Sequence, residues 1–401
     1  MLSEKQKAIL AFPYTKYQTL ICDGAVRTGK TSLMMIAFVD WAMQKYKNTR
    51  FGICGKTVDS ATKNIVAPYI SMNYAKEKYK IRWRRSDKLL EVKKGKVTNW
   101  FEVFGGKDES SFMLIQGRTL GGVLLDEVAL MPRSFVEQAL ARCSVAGARF
   151  WFSCNPDSPK HWFYMEWIQE AKRHNALHLH FRMEDNPGLS EETRELYRNT
   201  YQGVFYQRYI LGLWVMAEGL VYEFKDKYIT DEMTAGAEYY ISVDYGTLNP
   251  FSAGLWSVTG RKATRIKEFY YDGRAKKRQL TDEEYCDEIE KLSEGHRITS
   301  VIVDPSAASF IAALKRRGHR VKQADNAVLD GIRRVAVYLK NGNLLIHRSC
   351  VDSIREFGLY RWDEKKNEDT VLKENDHAMD DIRYFCSTVM LKKVRSCDGD
   401  Y

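Results

Sequence analysis

Nowhere in the 401 residues does an apolar run approach the roughly 20 residues a membrane-spanning helix requires, and the opening stretch MLSEKQKAILAF lacks the apolar core of a secretion signal. Membrane and secreted classes are set aside, and an intracellular site with no membrane partner is expected. The eight cysteines, at 22, 54, 143, 154, 286, 350, 386 and 397, include no C-x-x-C pair and no His-rich spacing, which argues against a zinc site and against a disulfide framework. Most are expected to be small core residues. Internal repeats and low-complexity segments are also missing.

What is present is ordinary for a globular chain: 44% hydrophobic and 28% charged residues, in a length that suits two separate cores. The net charge of +10 favours acidic partners, nucleic acid first, because clustered Lys and Arg release counterions from phosphates. The basic runs IRWRRSDK (81–88), AKKRQ (275–279) and KRRGHR (315–320) could line a DNA path or could be solvated faces.

The stretch ICDGAVRTGKTSLMM (21–35) reads as a buried strand, then Gly24-x-x-x-x-Gly29-Lys30-Thr31, then apolar residues at helical spacing. That context suits a phosphate loop. Small residues let backbone amides curl around a polyphosphate, the helix N-terminus adds partial positive charge, Lys30 supplies a mobile cation, and Thr31 would ligate Mg²⁺. Arg27 either serves as a cis-acting cation for the γ-phosphate or points to solvent. In GGVLLDEVALMP (121–132), four apolar residues deliver two acids to a strand edge. Asp126 is then the direct or outer Mg²⁺ partner, and Glu127 the base that orients the attacking water. A third strand ends in Ser153-Cys154-Asn155-Pro156, where Ser153 or Asn155 either senses the γ-phosphate or makes a turn or cap. Gln6 is a candidate reader of the adenine edge. Strand then helix at 51–66 and a β-hairpin around Lys94-Gly95 complete a mainly parallel sheet of the P-loop NTPase class over residues 1–215.

Periodicity fades after Trp214 and returns at YYISVDYG, so a linker is expected over 216–236 and a second domain over 237–401. This half has no phosphate loop. Strand 239–244 ends in Asp244, strand 298–303 delivers Asp304 ahead of a helix, and a helix from about Asp376 presents His377, Asp380 and Asp381 within one turn. Strand, hairpin, strand and C-terminal helix, each bearing an acid, is the arrangement of an RNase H-like α/β nuclease. Two Mg²⁺ ions about 4 Å apart would need such hard oxygen ligands. Singly, Asp244 reads equally well as a turn former and Asp304 as a helix cap. Jointly they read as a metal site, with Asp380 favoured over Asp381 as the inward acid and His377 near the metals. Glu268 is expected to be a solvent-facing strand acid rather than a further ligand.

In their order, GAVRTGKT, GGVLLDEVA, SCNP, YILGLWVMAEGLVYEF, SVDYG, VIVDPS and HAMDDIRY resemble the large subunit of a tailed-bacteriophage or prophage terminase, over nearly the whole chain. The resemblance implies an ATP-driven motor that translocates double-stranded DNA into a procapsid, and a metal-dependent endonuclease that cuts the concatemer. It implies ATP and Mg²⁺ bound by Lys30 and Thr31, hydrolysis by Glu127, and nuclease metals, Mg²⁺ or Mn²⁺, on Asp244, Asp304 and Asp380. Implied partners are a small terminase subunit and the portal of the procapsid. A homo-oligomeric ring would form on the portal, with a monomer as the alternative in solution. The implied location is the host cytoplasm and, transiently, the procapsid, not the mature virion. Cys154 departs from the family pattern, which leaves coupling open between Ser153 and Asn155. The rival readings are a helicase or remodelling ATPase whose second domain only binds DNA, and an ATPase switch that ignores DNA.

Overall fold

The computed structural model describes residues 2–233, 235–246, 249–366 and 368–390. They fall into two compact units, Met1–Arg198 with Val204–Met216 and Asn199–Gly203 with Ala217–Tyr401.

The first unit is built on eight strands: β1 (Thr19–Gly24), β2 (Arg50–Gly55), β3 (Lys80–Arg84), β4 (Leu89–Lys94), β5 (Val97–Gly105), β6 (Gly122–Asp126), β7 (Arg149–Ser153) and β8 (Ala176–Phe181). Their order is β3-β4-β5-β2-β6-β7-β1-β8. From β5 to β8 every pair is parallel, and β3 and β4 add an antiparallel meander. The runs TLICDG and GVLLD are buried at every position, as strands covered on both faces require. Helix Lys30–Lys45 covers one face, where Phe38 meets Phe51, Phe101 and Trp151 edge-on. Phe135, Phe152 and Phe163 belong to the core on the other. The expected hairpin turns at Gly95, whose φ of 57° suits glycine. Parallel pairing sets Ser153 opposite both Cys22 and Asp126, so the loops after β1, β6 and β7 gather at one sheet edge.

The second unit contains β9 (Ile229–Thr230), β10 (Glu238–Asp244), β11 (Phe251–Thr259), β12 (Lys262–Tyr271), β13 (Ile298–Val303), β14 (Val321–Gln323) and β15 (Leu344–His347), in the order β14-β13-β10-β11-β12-β15-β9. β10 runs parallel to β13 with Val243 opposite Val303, so Asp244 and Asp304 leave the same edge of adjacent strands, about 4.8 Å apart in the pairing direction. Helix His377–Phe385 packs on β10 and β11, with Phe385 stacked on Trp256 at 4.1 Å. The opposite face carries helix Asp282–Ser293, whose Tyr285 stacks on Phe251 at 4.1 Å.

A mixed α/β chain with a mainly parallel first sheet is therefore what the sequence led us to expect. The stretch read as a linker is anchored at a few aromatic positions: Tyr222 and Tyr228 are each 2% exposed, and Phe224 stacks on Phe357 at 4.2 Å. Of the basic runs, KRRGHR is partly neutralised internally, because Arg316 and Arg317 bind Glu283 at 2.9 and 2.8 Å. Among the described residues no helix is long and apolar enough to cross a membrane. The seven described cysteines are free thiols, six of them buried; Cys397 lies outside the described residues.

Candidate functional site

In the first unit the loop after β1 lines a cavity of about 450 Å³. Arg27, Gly29, Lys30, Thr31, Asp126, Glu127, Ser153 and Asn155 all border it. Gly29 has φ 80° and is the N-cap of helix Lys30–Lys45, with no side-chain cap of its own. The first-turn amides are thus left for an anion, and the helix dipole favours negative charge there. Gly24 has a different task. It lies outside the cavity lining, with φ 117°, and a β-carbon there would sit 2.0 Å from the Phe181 carbonyl oxygen. It is the glycine that lets the loop leave the sheet beside β8.

The electrostatics of the cavity suit an anion with its counter-cation. Lys30 is 7% exposed and its ammonium donates to the carbonyls of Ala25 at 2.6 Å and Gly24 at 3.2 Å. Burial lowers its pKa, an effect the nearby Cys154, Asp23 and Asp126 partly offset. Burial raises the Asp126 carboxyl, against hydrogen bonds from Ser153 and Thr31. Thr31 Oγ1 donates to Asp126 Oδ1 at 2.7 Å and the Ser153 hydroxyl donates to the same oxygen. These hard oxygen donors fit Mg²⁺ beside a phosphate. Glu127 follows with φ 57°, a left-handed conformation uncommon outside glycine, which turns the chain as β6 ends and places Glu127 at the cavity wall.

In the second unit the sequence-derived acids converge without forming a closed cage. Asp244 Oδ2 accepts from His377 Nδ1 at 2.9 Å, and His377 Nε2 lies 3.7 Å from Asp376. Burial, with the charges of Asp380 and Asp381 adding to it, pushes the Asp244 carboxyl up to about 7, although the His377 hydrogen bond opposes this. Asp380 is held by Arg383 at 3.0 Å, and its charge reaches Asp244. Asp304 accepts from the Ser306 amide at 2.7 Å; burial would raise its pKa, but hydrogen bonds from Ser306, Tyr384 and Asn326 together outweigh it and lower it. Asp244, Asp304 and Asp380 all act electrostatically on the buried Tyr384, which marks their common focus. Among the described residues no three His, Cys, Asp or Glu side chains are gathered closely enough to hold a metal as they stand. The donor set, hard carboxylates that repel one another, fits a divalent cation.

Residues 21–227, more than half of the chain, match the family model described as terminase large subunit, T4likevirus-type, N-terminal. The chain belongs to the terminase large subunit family. It is similar to the large terminase of a thermophilic bacteriophage solved in complex with ADP: 43% identity, 97% of this chain, 100% of that one, TM-score 0.90. The same thermophilic-phage protein in complex with ATP-gamma-S gives 42% identity, again over 97% and 100%, and TM-score 0.89. The large subunit of the Escherichia phage T5 terminase is 22% identical over 228 residues, 52% of this chain; the match spans about half (51%) of the T5 protein.

Several features of this terminase depart from the sequence reading or were invisible to it. Gln6 is 3% exposed; its amide donates to the Thr28 carbonyl at 2.9 Å and accepts from the Ser3 amide at 3.1 Å. It braces the phosphate loop through the Thr28 carbonyl. Glu268 is not a solvent-facing acid: it accepts from the Asp352 and Ser353 amides at 2.7 and 3.1 Å and so caps the helix Val351–Phe357. Arg27 donates to the Tyr197 hydroxyl and lies over that ring at 5.1 Å, so it does not simply point to solvent. Asp381, the alternative to Asp380, is fully buried and bound by Arg265, Ser242 and Ser252. That leaves Asp380 as the acid facing its neighbours. Asn64 and Asn186 at the nucleotide cavity were missed. Asn64 sits in a π-turn (Thr62–Val66), a local widening that no residue pattern announced.

Proposed function

We propose that this terminase hydrolyses ATP in its first unit to move double-stranded DNA into a procapsid, and cuts the DNA concatemer with the carboxylates of its second. The observation that carries this reading is the pairing, in one chain, of the Lys30–Thr31–Asp126–Glu127 cavity with the Asp244–His377–Asp380 cluster. The likeness to the thermophilic-phage protein, bound in its crystals to ADP or ATP-gamma-S, supports ATP as the nucleotide. The working division is an ATPase over 1–215, a junction over 216–236 and a nuclease over 237–401.

In the ATPase, phosphate oxygens replace the Gly24 and Ala25 carbonyls as partners of the Lys30 ammonium, and the amides of the helix start bind the same group. Thr31 and Asp126 would hold Mg²⁺, which neutralises charge on the phosphates when bound. Glu127 orients the water, and Ser153, bonded to Asp126, links that acid to the next strand tip, beside Asn155. In the nuclease, Asp244, Asp304 and Asp380 would hold Mg²⁺ or Mn²⁺, which supplies an activated water and charge for the leaving oxygen. His377 orients Asp244 through their hydrogen bond. By family, a small terminase subunit and the procapsid portal are the partners, with a ring of copies acting there from the host cytoplasm.

The test is one preparation assayed for DNA-stimulated ATPase and for Mg²⁺- or Mn²⁺-dependent nicking of supercoiled plasmid, beside Asp304→Asn. Nicking lost with ATPase intact is the expected result. ATPase with unwinding of forked duplex and no nicking would make the chain a helicase instead; ATPase indifferent to DNA would make it a switch.

A further inference from the structure

One buried charge beside the phosphate loop has no part in the chemistry above. Asp23, the residue before Gly24, is 1% exposed and both its oxygens are engaged. Its Oδ1 accepts from His178 Nε2 at 2.7 Å; its Oδ2 accepts from His180 Nδ1 at 3.1 Å and from Trp214 Nε1 at 2.7 Å. Burial works to raise its pKa, yet the histidine hydrogen bonds outweigh burial and hold it below the usual carboxylate range, so it is an anion. Both histidines lie on β8 with one residue between them, on one face of the strand, and β8 pairs with β1 so that His180 stands opposite Asp23.

The third donor is the unexpected one. Trp214 lies two residues before Met216, where the chain leaves the ATPase unit. The segment leading to it is already fastened to the phosphate loop: the Val26 amide donates to the Tyr209 carbonyl at 2.9 Å. Gly212, at φ 74°, packs so closely that a β-carbon there would sit 3.1 Å from the Ala25 nitrogen and 3.4 Å from the Gly24 α-carbon. Gly24 and Ala25 are the residues whose carbonyls hold Lys30. When phosphate draws that ammonium away, the two carbonyls lose their cation, and the backbone that relaxes is bonded to Asp23 on one side and abuts Gly212 on the other.

We propose that Asp23 is a positioning residue that ties the phosphate loop to the exit segment Tyr209–Trp214, so that occupancy of the loop is passed to Trp214 and thence along the chain. This rests on the nucleotide reading of the cavity, and Asp23 touches no reacting atom.

The experiment uses the full chain labelled with 5-fluorotryptophan, its Trp214 resonance assigned by loss in Trp214→Phe, with ATP-gamma-S binding measured by calorimetry on the same samples. The expected result is a shift of the Trp214 resonance on nucleotide binding, absent in Asp23→Asn while that variant still binds. In steady state, Asp23→Asn and Trp214→Phe should lower kcat by about ten- to a hundredfold with little change in KM, the mark of a misplaced loop rather than a lost contact. A Trp214 resonance that stays put while calorimetry shows saturation would overturn the proposal. No heat of binding would remove the nucleotide reading and this proposal with it. Should Asp23→Asn fail to fold, Trp214→Phe decides alone: it keeps an aromatic ring beside Tyr164, whose ring lies 4.8 Å from that of Trp214, and removes the donor. A wild-type kcat in that variant would refute the link.

Discussion

Replacing Asp244 by Asn tests the electrostatics of the proposed nuclease site without any assay of cutting. The carboxyl is 17% exposed, faces His377 at 2.9 Å, and burial pushes it from the ordinary 3.8 up to about 7. A raised carboxyl opposes folding when ionised. The penalty is absent below pH 3.8, grows as pH rises towards 7, and is constant above that. At about 1.4 kcal/mol per pH unit, the gap of about 3.2 units is worth at most about 4 kcal/mol, of which about 3 develops between pH 5 and pH 8. His377 acts in the same direction, since Asp244 raises its pKa against the effect of burial and that stabilisation fades as pH climbs through the raised value. With EDTA present, Asp244→Asn should therefore gain on wild type by about 3 kcal/mol between pH 5 and pH 8. For a unit of this size that is a relative melting shift of about 6–12 °C. Adding Mn²⁺ should raise the wild-type melting temperature at pH 8 far more than the variant's, because a bound cation relieves the same repulsion. Calorimetric melts at pH 5, 6, 7 and 8 measure all of this. A difference between the two proteins that does not change with pH would refute the reasoning.

Glu127→Gln should lower ATP turnover by about 10²-fold or more while nucleotide affinity, read by calorimetry, moves little, since an amide cannot orient water as the carboxylate does. Asp380→Asn and Asp381→Asn should separate cleanly. The first abolishes nicking in a folded chain, whereas the second takes from Arg265, 0% exposed, its nearest counter-charge, leaving only Glu268 at 3.7 Å, and costs about 3 kcal/mol in urea melts. Gly24→Ala forces a left-handed backbone and a clash with the Phe181 carbonyl, and should cost about 2 kcal/mol or more together with ATPase activity. Melting curves and turnover on the same sample check it.

Features that neighbouring residues decide together could be read from the chain alone. A strand, five loop residues and a helix start lie within ICDGAVRTGKTSLMM, so the phosphate loop was legible, as were the acids at the tips of apolar runs at Asp126, Asp244 and Asp304. Parallel pairing then brings such tips to one edge as a matter of geometry. Which polar groups meet across long stretches of chain was settled by the folded molecule. Nothing near Asp23 announces His178, His180 and Trp214, which stand 155 to 191 residues away. Asp380 and Asp381 look alike in HAMDD; the choice between them depends on Arg265, 116 residues earlier, entering the space above Gly254, where a β-carbon would lie 2.0 Å from its guanidinium. Glu268 was misread for the same reason. A buried polar side chain takes whatever donor the fold delivers, because leaving it unpaired costs about 1–3 kcal/mol, and that partner is set by packing rather than by local pattern.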